Sequence, residues 1–339
     1  MASETIVSFR NVSMQFPGVL ANHDVSLDIH KGEVFALVGE NGAGKSTLMN
    51  ILYGMNTPTS GEVTIKGQKM THFSPSEAIE RGVGMVHQHF MLVPSFTVAQ
   101  NIVLGREPKH RGLFYDFHKA KAITDSLVEE YGLTVDPAAK VADISVGLQQ
   151  RVEILKTLHR GADILILDEP TAVLTPQEID RLFAVLRSMK EDGKSIIIIT
   201  HKLHEVLAVS DRVAILRKGE HVATVDTCEA TESSLTEMMV GKKVTLDIDR
   251  SEPVNAQPRL EVKNLTCIDK EGLHVVKDVS FTANSGEILG IAGIAGSGQR
   301  ELLEAIAGMQ PIQSGEIVFI NPKKGRPVTF YHTTTTCHI

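Results

Sequence analysis

The feature that most constrains the fold is a glycine-rich segment, residues 39–47, which reads Gly-Glu-Asn-Gly-Ala-Gly-Lys-Ser-Thr. An apolar run of strand length, Val34–Val38, precedes it, and a segment of helical character, Ser46–Leu52, follows it. A strand, a glycine-rich loop and a helix in this order are typical of a phosphate-binding loop. The glycines let successive backbone N–H groups curl around phosphate oxygens at the helix N-terminus. The segment therefore predicts a nucleoside triphosphate site.

Two side chains of this loop carry specific chemistry. Lys45 places a cation where the β- and γ-phosphates would lie, and the hydroxyl of Ser46 can ligate Mg²⁺. The candidate nucleotide-binding residues of the loop are Gly39, Glu40, Asn41, Gly42, Ala43, Gly44, Lys45, Ser46 and Thr47.

Composition excludes several classes of protein. The chain of 339 residues has a net charge of −7, which weighs against a dedicated nucleic-acid binder. Its three cysteines lie far apart without metal-ligand spacing, which favours a reducing compartment over a disulfide scaffold. No apolar run approaches the roughly 20 residues of a membrane helix, and the N-terminus does not resemble a signal peptide. We therefore expect a cytoplasmic protein whose membrane role, if any, acts through a partner.

The chain repeats itself at a constant offset of 254 residues. Residues 32–39 return as 286–293, and Thr59–Val63 returns as Gln313–Ile317. A fixed offset without gaps indicates a duplicated domain. Strands alternating with helices in the first copy predict a mainly parallel sheet.

The repeat divides the chain into four predicted parts. They are a first domain at 5–246, a polar linker at 247–258, a partial second domain at 259–325 and a disordered tail at 326–339. About 80 residues follow the linker, where the first copy uses about 240, so we expect the second copy to be truncated. Its own loop is degenerate, because Gln299 stands where the first copy has Lys45.

Two acids follow a second apolar strand, Ile164–Leu167. A buried strand that ends in acids beside a phosphate loop would present Asp168 to Mg²⁺. Glu169 could then polarise the water that attacks the γ-phosphate. A third apolar strand, Ser195–Ile199, leads to His201, which could contact the γ-phosphate.

Four further residues are candidates for nucleotide contacts. The amide oxygen of Gln88 suits Mg²⁺ or water, and the ring of Phe16 could stack on a base. Ser145 is a plausible N-cap for the helix that runs to Arg160, and Gly147 leaves N–H groups free at that helix start. No lysine accompanies this second helix start, so it would serve a nucleotide held by another domain.

Taken in order, these segments resemble the ATP-binding cassette (ABC) ATPase family over about residues 5–320. The matching segments are the Walker A loop at 39–47, the Q-loop at Gln88, the signature at 144–149, the Walker B strand at 164–169, the switch histidine His201 and the adenine-stacking Phe16. The resemblance implies ATP and Mg²⁺ as ligands, with Ser46, Gln88 and Asp168 at the metal and Glu169 and His201 in catalysis. It also implies an α/β fold with a RecA-like P-loop NTPase core, an antiparallel β subdomain and a helical subdomain at roughly 90–158.

Departures from the family pattern indicate which branch of the family the chain resembles. The signature has Val146 and Leu148 in place of the usual Gly and Gln, and Thr175 replaces the usual acid after Walker B. A degenerate second loop is typical of importers of ribose, galactose and nucleosides. The amino-acid sequence around Gln88 most resembles that of the nucleoside branch.

The resemblance implies an ATPase subunit that is peripheral on the cytoplasmic face of the membrane. Its partners would be permease subunits and, through them, a solute-binding lipoprotein, with a possible homodimer through the first cassette and no nucleic acid. Two alternatives remain: a soluble two-cassette translation factor, which Gln299 and the short linker disfavour, and a non-functional remnant of the transporter ATPase.

Overall fold

The computed structural model describes residues 4–88, 90–110, 114–242, 255–269, 272–293, 296–321 and 327–331. The chain divides into two compact units, residues 1–245 and 246–339. Most of the predicted linker, residues 247–254, lies outside the described residues. Within the described ranges, no helix combines the length and the apolar character that crossing a bilayer requires.

The first unit alternates strands and helices. In chain order its elements are β1 (Thr5–Phe16), β2 (Val19–His30), β3 (Val34–Val38), α1 (Lys45–Leu52), β4 (Ser60–Ile65), β5 (Gln68–Lys69), α2 (Pro75–Glu80), β6 (Val83–Val86), α3 (Val98–Ile102), β7 (Lys109–His110), β8 (Phe114–Tyr115), α4 (Phe117–Tyr131), α5 (Val146–His159), β9 (Ile164–Asp168), α6 (Pro176–Glu191), β10 (Ser195–Thr200), α7 (Leu203–Val209), β11 (Arg212–Arg217), β12 (Glu220–Asp226) and α8 (Glu232–Val240).

A six-stranded sheet forms the centre of this unit, in the order β12-β11-β3-β10-β9-β6. Its strands run parallel except β12, which pairs antiparallel with β11. Strands β3 and β10 are buried along their whole length, as expected where helices cover both faces of a parallel sheet. The register places Val38 beside Thr200, and Ile199 beside Asp168, so the carboxyl ends of β3, β10 and β9 meet at one edge.

A second, antiparallel sheet has the order β2-β1-β4-β5. One apolar core joins it to the central sheet through residues such as Phe9, Ile29, Leu37 and Leu48. Helices α3, α4 and α5 pack on another core at the opposite face, which includes Ile102 and Leu155. The predicted P-loop core with an antiparallel subdomain and a helical subdomain is confirmed.

The second unit contains β13 (Pro258–Ile268), β14 (His274–Asn284), α9 (Gln299–Ile306), β15 (Ile312–Ile320) and β16 (Pro327–Tyr331). Its strands form an antiparallel sheet in the order β14-β13-β15-β16. Helix α9 lies 254 residues after α1, in agreement with the repeat. Residues 286–293, the counterpart of β3 and the residues flanking it, form no strand, and Ile288 and Leu289 are 73% and 44% exposed.

The prediction of a disordered tail over 326–339 is wrong for residues 327–331. They form β16, which pairs antiparallel with β15 from Glu316 opposite Tyr331 to Ile320 opposite Pro327. Alternation of Val328 and Phe330 with polar residues is a short strand signal that the threonine-rich sequence after it obscured. Residues 332–339 lie outside the described residues.

Candidate nucleotide-binding site

The glycine-rich loop connects the buried strand β3 to helix α1 and encloses the ammonium of Lys45. Lys45 is 6% exposed, and its Nζ donates to the carbonyls of Gly39 at 2.8 Å and Glu40 at 2.9 Å. Burial lowers the pKa of Lys45, while the nearby carboxylates of Glu169 and Asp168 act in the opposite direction. A partly desolvated cation with only carbonyl acceptors is well prepared to receive a phosphate.

Two positions in the loop can only be glycine. Gly44 has φ of 94°, and a Cβ there would lie 2.3 Å from the carbonyl oxygen of Ala21. A Cβ on Gly39 would lie 2.3 Å from the carbonyl oxygen of Leu216. The loop is therefore pressed against β2 and β11, which hold its backbone in place.

The acids at the end of β9 lie beside this loop. Ser46 and Asp168 line the same cavity, with the Ser46 hydroxyl placed so that it lowers the pKa of the Asp168 carboxyl. Burial raises the pKa of Asp168 and the charge of Glu169 adds to that rise, while the Ser46 hydroxyl and the charge of Lys45 oppose it. A divalent cation would relieve the cost of this buried negative charge, so Ser46 and Asp168 fit a Mg²⁺ site.

Glu169 is held in an unusual backbone conformation, with φ of 46°. This left-handed conformation is uncommon for a residue other than glycine. Its N–H donates to the carbonyl of Ile199 at 2.9 Å, so the neighbouring strand fixes the turn. Backbone strain of this kind is concentrated at functional sites, because the surrounding structure must maintain it.

Two polar side chains contact the Glu169 carboxylate from different elements. His201 Nδ1 lies 2.9 Å from Oε1, and Gln88 Nε2 donates to Oε2 at 3.3 Å. His201 follows β10 and Gln88 follows β6, so both reach the carboxylate from strand ends of the same sheet. The group can hold a water molecule beside a carboxylate and orient it.

These residues share one open cavity of about 680 Å³. Its lining residues are Phe16, Val19, Leu20, Ala21, Asn41, Gly42, Ala43, Gly44, Lys45, Ser46, Thr47, Gln88, Asp168, Glu169, Ile199 and His201. The structure thus brings together most of the candidates named from the sequence. Gly39 and Glu40 contribute through their carbonyls to Lys45.

Ser145 and Gly147 lie outside this cavity. Ser145 caps α5, with its Oγ accepting from the N–H of Leu148 at 3.4 Å. Gly147 lines a different cavity of about 350 Å³, together with Arg151 and Glu178. Their predicted role toward a nucleotide held by another cassette stays a prediction.

Sequence reasoning missed the apolar wall of the cavity. Val19 and Leu20 are exposed beside Phe16 and form, with it, an apolar surface for a planar group. The signal was the pair of adjacent apolar residues that directly follow the turn Pro17-Gly18, where an exposed loop would be polar.

The degenerate loop of the second unit shows a different arrangement. The Gln299 amide, at the position equivalent to Lys45, donates to the carbonyl of Ile291. Arg300, at the position of Ser46, pairs with Glu304 at 2.7 Å. Among the described residues of this loop, no ammonium or hydroxyl takes the places of Lys45 and Ser46; residues 294–295 lie outside the description.

A phosphate loop, a carboxylate pair and a histidine on the edge of a parallel sheet define a P-loop NTPase. The family model for ABC transporters matches residues 22–172 and 276–334, and the chain belongs to this family. The second match extends beyond residue 325, where the sequence places the end of the second domain.

Curated relatives match nearly the whole chain. It is 50% identical over 324 residues to the nucleoside import ATP-binding protein NupA of Lactococcus lactis subsp. cremoris (strain MG1363), covering 95% of this chain and 63% of NupA. It is 48% identical over 329 residues to the guanosine import ATP-binding protein NupO of Bacillus subtilis (strain 168), covering 96% of this chain and 64% of NupO. The chain thus spans less than two thirds of the length of these relatives.

Among solved structures, the chain resembles the dimeric ATP-binding cassette MJ0796 in a post-hydrolysis state with ADP and Pi. The TM-score is 0.58 and the identity 28%, over 66% of this chain and 99% of that one.

Proposed function

We propose that this chain binds and hydrolyses Mg-ATP as the ATPase subunit of an ABC importer for nucleosides. The observation that carries the proposal is the convergence of Lys45, Asp168, Glu169 and His201 on one cavity. Lys45 would hold the β- and γ-phosphates together with the loop N–H groups, and Phe16 would stack on the adenine.

The polar groups around Glu169 support hydrolysis rather than binding alone. The Glu169 carboxylate would accept a proton from the attacking water, and His201 and Gln88 would fix the direction of that carboxylate. Ser46, Gln88 and Asp168 would hold Mg²⁺, which neutralises charge on the phosphates when bound. The Gln88 amide nitrogen faces Glu169, which leaves its oxygen available to a metal.

Nucleoside import is supported by the names of NupA and NupO, at 50% and 48% identity. Such a subunit would bind permease subunits at the cytoplasmic face of the membrane, and act through them on a solute-binding lipoprotein. The second candidate function is import of ribose- or galactose-type sugars, since those importers also have a degenerate second loop.

Two measurements test the proposal at separate levels. We expect Mg-ATP to raise the Tm of the parent chain and Lys45→Ala to abolish that rise, because the cation facing the phosphates is lost. Lys31→Ala, which removes an exposed lysine paired with Glu4, is the matched control and should respond to Mg-ATP like the parent. Absence of any nucleotide effect on the parent would refute the proposed ligand.

The solute is tested with the complete transporter. Permease and lipoprotein subunits of a nucleoside importer would be expressed with this chain, and uptake of labelled guanosine compared with uptake of labelled ribose. We expect ATP-dependent guanosine uptake that Lys45→Ala abolishes. Uptake of ribose alone would assign the chain to the sugar branch instead.

A further inference from the structure

A buried polar cluster lies behind the candidate catalytic residues and outside their cavity. It consists of Thr171, on the loop that follows β9, and Lys202 and Glu205, at the start of α7. Thr171 is 2% exposed and Glu205 is 3% exposed. Buried carboxylates are stable only when other groups satisfy them, so the contacts of Glu205 reveal what it holds.

Glu205 receives a hydrogen bond on each of its two oxygens. The Thr171 hydroxyl donates to Oε2 at 2.6 Å, and Lys202 Nζ donates to Oε1 at 3.1 Å. Lys202 Nζ also donates to the Thr171 carbonyl and lies within bonding distance of its hydroxyl, both at 3.1 Å. The three side chains thus form a closed network between two segments that are far apart in sequence.

Each of these segments carries a residue of the nucleotide site. Glu169 lies two residues before Thr171, and His201 lies directly before Lys202. The contact between His201 Nδ1 and Glu169 Oε1, at 2.9 Å, spans the same two segments. A third anchor comes from α5, where Gln150 Nε2 donates to the carbonyl of Pro170 at 2.7 Å. The backbone on both sides of the catalytic pair is therefore fixed from behind.

We propose that Glu205 is a positioning residue of the nucleotide site. Its buried carboxylate joins the loop that carries Glu169 to the turn that carries His201, and thereby sets the geometry of that pair. The inference rests on the proposed ATPase function for its kinetic consequence. Its structural consequence, a changed environment of His201, does not depend on ATP hydrolysis.

The kinetic test compares Glu205→Ala and Thr171→Val with Thr171→Ser, which keeps the hydroxyl. We expect the first two to lower the kcat for ATP by about tenfold or more, as displacement of a catalytic pair does, with the Kd for Mg-ATP within about threefold of the parent. Thr171→Ser should retain most of the parent kcat. A parent-like kcat in Glu205→Ala would overturn the proposal.

The matched control is Thr227→Val, which removes a buried hydroxyl that bonds Ser210 at the other end of α7, at 3.0 Å. It should destabilise α7 without changing kcat, so an equal loss of kcat in Thr227→Val would reduce Glu205 to a general stabilising role. Glu205→Ala combined with His201→Ala should lose less kcat than the product of the two single losses, because both act on the contact between His201 and Glu169.

A spectroscopic measurement decides the question even if the parent proves inactive as an ATPase. The ring Hε1 resonance of His201, assigned by its disappearance in His201→Ala, reports the surroundings of the imidazole without nucleotide. We expect it to shift in Glu205→Ala and Thr171→Val and to stay in place in Thr227→Val and Thr171→Ser. An unchanged His201 resonance in a folded Glu205→Ala protein would refute the inference, whereas failure of ATP binding in the parent would refute only the proposed function.

Discussion

At the scale of single residues, the site depends on a few charges held away from water. Lys45 and Asp168 are both partly desolvated. Burial lowers the pKa of Lys45 and raises the pKa of Asp168, and both shifts favour the neutral form of the side chain. Such an arrangement costs stability in the free protein, and a ligand that brings phosphate and a divalent cation restores the balance of charge.

Glu169→Gln should keep nucleotide binding and stop turnover. Glutamine fills the same space but has no carboxylate to accept a proton from water, so we expect a loss of kcat of at least about a hundredfold. The Tm rise with Mg-ATP should remain near the parent value. Hydrolysis of ATP by Glu169→Gln at the parent rate would remove Glu169 from its assigned role.

Asp168→Asn should raise the Tm of the protein without nucleotide at pH 7.5. The folded state raises the pKa of Asp168, so its ionised form opposes folding, and this penalty is present above the folded-state pKa and disappears as the pH falls through it. Partial exposure screens the charge, so the rise should be about 1–2 °C and should shrink in acid. The stabilisation by ATP that depends on Mg²⁺ should be lost in this variant. A Tm below that of the parent would show that ionised Asp168 stabilises the fold, which contradicts the prediction.

At the scale of elements, the sequence was most informative where a motif and its flanking elements agree. Apolar runs identified β3, β9 and β10, and their parallel pairing brought Lys45, Asp168 and His201 to one edge. The short helix α7 was not predicted, because its seven residues give too short a hydrophobic period to recognise. Its contacts with Thr171 were beyond prediction, since they join segments whose approach only the tertiary fold determines.

The loop between β3 and α1 allows a comparison of two glycines. Gly42 and Gly44 both have positive φ, but a Cβ on Gly42 would meet nothing within 4 Å, whereas on Gly44 it would meet the Ala21 carbonyl. Gly42→Ala should cost about 1–2 kcal/mol, the strain of a left-handed conformation. Gly44→Ala should cost clearly more and abolish stabilisation by Mg-ATP. Equal Tm losses in the two variants would show that the loop can move away from β2.

At the scale of the whole molecule, the chain holds two units with unequal content. The first contains a candidate site with its loop, acids and histidine, whereas Gln299 occupies the lysine position of the second. The sequence predicted this inequality from the loop alone. It did not give the extent of the second unit, because the strand signal of β16 is only five residues long and is followed by a threonine-rich stretch, and its pairing with β15 is set by the tertiary fold.

Because Ser145 and Gly147 lie outside the cavity, we expect one chain to lend them to the nucleotide of a second. ATPase activity per chain should then rise with protein concentration. A mixture of Lys45→Ala, which offers an intact α5 start, with Ser145→Arg, which offers an intact loop, should regain about a quarter of the parent rate, since half of the dimers would contain one complete site. A rate that is flat with concentration, with no recovery in the mixture, would show that one chain suffices.

The uncovered segment 286–293 has a consequence for how the protein behaves in solution. Ile288 and Leu289 are 73% and 44% exposed, on a stretch whose counterpart in the first unit is a fully buried strand. Exposed apolar side chains on an extended segment attract other chains, so we expect the purified protein to self-associate. Ile288→Lys with Leu289→Lys should reduce light scattering on heating, whereas Met309→Lys, at an equally exposed but isolated position, should not. Residues 286–293, whose counterpart in the first repeat is buried, would thus limit the solubility of this protein at high concentration.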